Sequence, residues 1–132
     1  MRQVNPNTVR TCGTSPYEVA LLHGGPGAAG ELSPVATIVS ESRGVLELLQ
    51  TGHSAGAQIE ELRAQLDTSA DLPVTLVGYS WGAWLGILFS ARFPSMVLKL
   101  ILISAAAFES PYVEDLADIR VSRLHPELRR EA

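Results

Sequence analysis

Leu72-Pro73-Val74-Thr75-Leu76-Val77 is apolar and rich in β-branched residues, and it runs directly into Gly78-Tyr79-Ser80-Trp81-Gly82. No further proline occurs until Pro94, so residues 81–93 are predicted as a helix that the proline ends. A buried strand, a sharp turn and a helix in immediate succession belong to a sheet of parallel strands covered by helices. In that setting G-x-S-x-G holds a serine on a strained turn with its hydroxyl at the top of the sheet. The glycines answer a steric need, since a strand and a helix meeting so abruptly leave no room for Cβ atoms beside the serine. Ser80 is therefore the candidate nucleophile. The start of the next helix would face any negative charge that develops there. The plainer alternative is a glycine-rich turn around a structural serine.

Residues 1–16 are polar and turn-rich, with a short edge strand expected at Thr8-Val9-Arg10-Thr11. Tyr17 to Leu22 reads as a strand ended by His23-Gly24-Gly25-Pro26-Gly27. A helix is expected over residues 28–40, with Leu32, Val35, Ala36 and Val39 on one face. Residues 44–49 form another strand. Ser54 then caps a helix through Leu66 that turns Ile59, Leu62 and Leu66 inward and Glu60, Glu61, Arg63 and Gln65 outward. Leu98 to Ile103 is the most strand-like run of all. Strand and helix alternate from residue 17 to residue 104. Right-handed crossovers then give an α/β fold with a parallel sheet and helices on both faces. From Glu109 the chain becomes charged and helix-prone. A core over residues 1–108 is expected, with a further helical segment over 109–132.

With 132 residues, 46% of them apolar and 18% charged, the chain has material for one domain with a true core. A net charge of −4 without a basic cluster argues against nucleic acid as a partner. The pair Arg129-Arg130 is better explained by a solvated helix face than by phosphate. Cys12 is the only cysteine, so neither an intrachain disulfide nor a cysteine metal cluster is expected. The apolar run Val19 to Leu22 is too short for a leader or a membrane span. A soluble, cytoplasmic protein with no membrane partner is the expectation.

Taken together, His23-Gly24-Gly25-Pro26-Gly27 and Gly78-Tyr79-Ser80-Trp81-Gly82 resemble the α/β-hydrolase superfamily, and within it the branch of the prolyl iminopeptidases. The resemblance runs from about Ser15 to about Leu124. It implies an oxyanion hole made by the backbone N–H of Trp81 and by that of Gly25, with Gly24 letting the backbone approach closely. His23 would brace this loop by hydrogen bonding, and Gly78 and Gly82 would support the elbow. Tyr79 and Trp81 line a pocket beside the serine or pack against helices, and both readings stay open. Tyr79 and Ala83 stand where the prolyl iminopeptidases carry small residues. Their D-Q-R-G-x-G-x-S signature is replaced by Glu47-Leu48-Leu49-Gln50-Thr51-Gly52.

The fold family orders its triad as Ser, then Asp or Glu, then His, the last two after later strands. By this resemblance the chain reads as the N-terminal half of the fold with the start of a helical lid. Asp115 or Asp118 followed by His125 has the right order, but these residues share one charged amphipathic stretch and read as lid surface. His53 reads as an exposed loop residue.

The implied reaction is acyl transfer to water on an ester or a small amide or peptide, without metal or organic cofactor. The rival is a non-catalytic module of a truncated or split hydrolase. The strand Leu98 to Ile103 lacks an outer neighbour in this reading, so the chain is expected as an oligomer or paired with a complementary C-terminal fragment.

Overall fold

A computed structural model describes residues 6–25 and 27–123. After a 3-10 turn at Pro6–Thr8, the strands are β1 (Val9–Cys12), β2 (Tyr17–Leu22), β3 (Gly44–Leu48), β4 (Val74–Tyr79) and β5 (Val97–Ile103). The helices are α1 (Ser33–Val39), α2 (Ala55–Ser69), α3 (Trp81–Arg92) and α4 (Ser110–Ser122). The sheet order is β1-β3-β2-β4-β5. β3, β2, β4 and β5 run parallel, and β1 joins the β3 edge antiparallel.

Strands β1 to β4 split their side chains between two apolar clusters, as the pleat requires. Ala20, Leu22, Leu46, Leu48 and Leu76 point to the face where Ile59, Leu62 and Leu66 of α2 meet Leu85 and Phe89 of α3. Val19, Leu21 and Val45 point to the other face and meet Ala36 of α1. Complete burial of a side chain such as Phe89 stabilises the fold by about 1.5–3 kcal/mol. Helices therefore cover both faces, as expected.

Several details correct the expectation. The first helix spans seven residues, not the thirteen of 28–40. Gly30 takes a φ of +93°, outside the helical region, and Pro34 sits in the first turn, where its missing N–H costs nothing. Gln65 points inward and is fully buried, because its side-chain amide donates to the carbonyls of Thr8 and Leu49 at 3.1 and 3.0 Å. The strand before the elbow starts later, at Val74, and continues to Tyr79, leaving no spacer before Ser80. The edge strand begins at Val9, one residue late. Ser54 does cap α2, its hydroxyl accepting the N–H of Ala57 at 3.2 Å. Leu124, His125 and the Arg129-Arg130 pair lie outside the described residues, as does Pro26.

Candidate active site

β2 occupies the middle of the sheet. From it the chain passes through α1 to β3 on one side, then through α2 to β4 on the other. The loops leaving β2 and β4 therefore part in opposite directions and open a crevice at the carboxyl ends of the strands. His23-Gly24-Gly25 follows β2 and Ser80 follows β4, so the topology alone brings the two motifs together.

Ser80 has φ 51° and ψ −114°, in the left-handed half of the map that a residue with a Cβ rarely adopts. Its N–H donates to the carbonyl of Ile103 at 2.9 Å, which ties the elbow to the end of β5. A Cβ built on Gly78 would collide with the carbonyl oxygen of Gly82, and one on Gly82 with that of Leu22. Both contacts are with backbone and cannot be relieved by turning a side chain. Close approach, not flexibility, demands glycine at these two positions.

Trp81 opens α3, and the N–H groups of a helix's first turn have no partner within the helix. Its N–H faces the space ahead of the helix. Its indole Nε1–H donates to Gln58 Oε1 on α2 at 2.8 Å. That side chain thus packs between helices. Tyr79 instead joins Leu21, Leu32, Val77 and Ile103 around a cavity of about 380 Å³ on the α1 side of the sheet.

His23 is buried and both its ring nitrogens are engaged. The N–H of Gln50 donates to Nε2 at 3.1 Å, which leaves Nδ1–H to donate to the Gly24 carbonyl at 2.8 Å. The ring links the loop after β2 to the loop after β3. Gly25 has a φ of +21° and open space where a Cβ would stand, whereas a Cβ on Gly24 would meet the Glu31 carboxylate and the Cβ of Ser80.

Glu31 is a residue that the sequence reading did not single out. Its Oε1 accepts the N–H of Gly24, and a single methyl on Gly24 would touch both this carboxylate and Ser80. The only signal in the sequence is an acidic side chain a few residues after the glycines. By its spacing alone Glu61 is only an outward residue of α2. Its carboxylate accepts the N–H groups of Thr51 and Gly52 at 2.8 and 3.0 Å and so fixes the loop after β3.

A second cavity of about 410 Å³ lies beside the elbow. Ser80, Ser104 and residues 105–107, all alanine, form one side, and Val113 and Leu116 of α4 the other. Among the described residues no side chain hydrogen-bonds the Ser80 hydroxyl, and no histidine lines this cavity. His53 is exposed in the turn before α2, and Asp115 and Asp118 are exposed on α4. The described residues contain no group of three His, Cys, Asp or Glu side chains suited to a metal ion. No helix among them is long and apolar enough to cross a membrane.

A mostly parallel sheet with a strained serine at a strand-to-helix turn over its carboxyl edge defines a class of protein. The alpha/beta hydrolase fold family model matches residues 50–132, and the chain belongs to that family. Among curated relatives, it is 32% identical over 60 residues to the cis-3-alkyl-4-alkyloxetan-2-one decarboxylase of Shewanella oneidensis, covering 45% of this chain and 19% of that protein. It is 31% identical over 91 residues to ethanol acetyltransferase 1 of Cyberlindnera fabianii, covering 66% of this chain and 26% of that one. Of solved structures, VinJ superposes with a TM-score of 0.80 at 23% identity, over 92% of this chain and 47% of its own. A marine microorganism esterase does so with a TM-score of 0.64 at 22% identity, over 89% and 51%. The chain thus spans about half of these solved structures and about a quarter or less of the curated relatives.

Proposed function

We propose that the chain carries the nucleophile and the oxyanion hole of a serine hydrolase acting on an ester or a small amide. The reading rests above all on Ser80, held at φ 51° between β4 and α3 and facing a cavity. Its Oγ adds to the substrate carbonyl carbon while its proton passes to a base, and the carbonyl π electrons move onto oxygen. The N–H groups of Trp81 and Gly25 hold that oxyanion, a type of contact worth roughly 2.7–4 kcal/mol per donor. The bond to the leaving oxygen or nitrogen then breaks, and the leaving atom takes up the proton. Water repeats the sequence on the acyl-enzyme and restores Ser80.

The base, and the acid that orients it, come from outside the described residues in this proposal, since both His23 nitrogens are engaged. α4 serves as the first helix of a lid over the cavity. The finer reading, an aminopeptidase-like member near the prolyl iminopeptidases, is supported by the H-G-G-P-G and G-x-S-W-G motifs alone. Incubation with p-nitrophenyl butyrate tests the proposal. Slow hydrolysis, abolished in Ser80→Ala and accompanied by a butyryl adduct on Ser80 in mass spectrometry, is expected.

The second reading is a binding module without turnover, favoured by the unpartnered Ser80 hydroxyl. Absence of any Ser80-dependent hydrolysis or adduct would establish it against the first.

A further inference from the structure

Ser80 is one of two serines in unusual backbone. Ser104 has φ 49°, and these are the only positive-φ residues other than glycine among the described residues. Tyr79 and Ile103 form the last register pair of β4 and β5, so Ser80 and Ser104 are the next residues of adjacent parallel strands. Neighbouring strands lie about 4.8 Å apart. Both serines line the cavity of about 410 Å³ that α4 borders, and the hydroxyl of the exposed Ser104 makes no side-chain hydrogen bond among the described residues. The rest of that wall is methyl and isopropyl-like surface from residues 105–107, Val113 and Leu116.

We propose that Ser104 determines substrate specificity by hydrogen-bonding a polar group carried on the acyl chain close to the scissile carbonyl, as in a 3-hydroxyacyl ester. The inference rests on the proposed acyl transfer at Ser80. In that reaction the acyl part remains bonded to Ser80, so it occupies the cavity the two serines share through both half-reactions. Its hydrocarbon part meets the alanines, Val113 and Leu116. A hydroxyl one or two carbons from the carbonyl falls within reach of the neighbouring strand's end. Strained residues cluster where backbone geometry aims a side chain at a ligand, and Ser104 is such a residue with a hydroxyl to offer.

The test compares p-nitrophenyl 3-hydroxybutyrate with p-nitrophenyl butyrate on the full chain, reading the ratio of kcat/KM. One hydrogen bond predicts a preference of about tenfold for the hydroxylated ester. Ser104→Ala and Ser104→Gly should both bring the ratio to about one, while Ser104→Asn, which tolerates the backbone and keeps polar atoms, should retain part of it. A wild-type ratio of one, or a preference that survives Ser104→Ala, overturns the proposal. Titration of 3-hydroxybutyramide and butyramide, followed by amide shifts of residues 104–107, gives a readout that needs no turnover. The hydroxylated amide should bind more tightly to wild type and equally with its partner to Ser104→Ala, and equal binding to wild type overturns the inference. Absence of Ser80-dependent hydrolysis of both esters would count against acyl transfer, while the amide titration would still decide the role of Ser104.

Discussion

The carboxylate of Glu31 accepts the backbone N–H of Gly24 within a methyl's width of Ser80. This single contact holds the loop after β2 from the α1 side, while His23 holds it from within. Removing it by Glu31→Ala should lower Ser80-dependent ester hydrolysis about tenfold, the value of one charge-assisted hydrogen bond of roughly 1.5 kcal/mol. Glu31→Gln keeps an acceptor oxygen and should retain most of the rate. Rates of both variants alongside unchanged circular dichroism decide it, and equal losses would mean that charge, not the hydrogen bond, matters.

Gly82 meets the Leu22 carbonyl so closely that any side chain must move backbone. Gly82→Ala should cost about 1–3 kcal/mol or more through overpacking and lower the melting temperature accordingly. Gly25→Ala has open space for a Cβ but places it at a φ of +21°, so it should cost backbone strain alone, about 1 kcal/mol. Thermal denaturation of the two variants side by side gives the comparison.

The backbone strain at Ser80 separates two substitutions that both remove the hydroxyl. Ser80→Ala keeps a Cβ at φ 51°, whereas Ser80→Gly releases it. The glycine variant is expected to be more stable than the alanine variant by about 1 kcal/mol, less what glycine loses in chain entropy. Urea titration reads the difference, and an alanine variant of equal or higher stability would show that the turn stores no strain.

Among the described residues β5 is the last strand of the sheet, and Leu98, Ile101, Leu102 and Ile103 are all exposed on it, with Lys99 the only charge in the strand. An apolar edge with so little charge invites pairing with another chain. Sedimentation velocity at micromolar concentration should show a dimer or larger species, shifted toward monomer by Ile101→Lys. A monomer at all concentrations would refute the association.

Much of the architecture was legible because the strands are continuous apolar runs whose pattern needs no tertiary knowledge. β4 and β5 are of this kind, and the elbow between β4 and α3 was marked by its own glycines. The sequence overextends α1 because Ala28 and Ala29 favour helix locally while Gly30 takes a backbone that only the folded loop demands. The short link from β1 to β2 makes them antiparallel, but that β1 pairs with β3, inserted between the two, is something no local pattern announces. Glu31 and Ser104 carry no local signal for the same reason. Their significance comes from neighbours distant in sequence, and a charged or hydroxylated residue in a loop looks ordinary until those neighbours are in place.

Gln65 has a consequence for how β1 finds its place. Its amide grips the carbonyl of Thr8, 57 residues away, and that of Leu49, 16 residues away. A slip of β1 by one residue would turn an N–H toward this donor and reverse every side chain in the strand. Gln65 therefore acts as a register gauge for the edge, and it can act only once α2 lies across β3. With α2 on β3, the sheet edge accepts one alignment of β1. A Gln65→Met chain would keep its bulk but leave both carbonyls without that donor, and β1 would lose its alignment check.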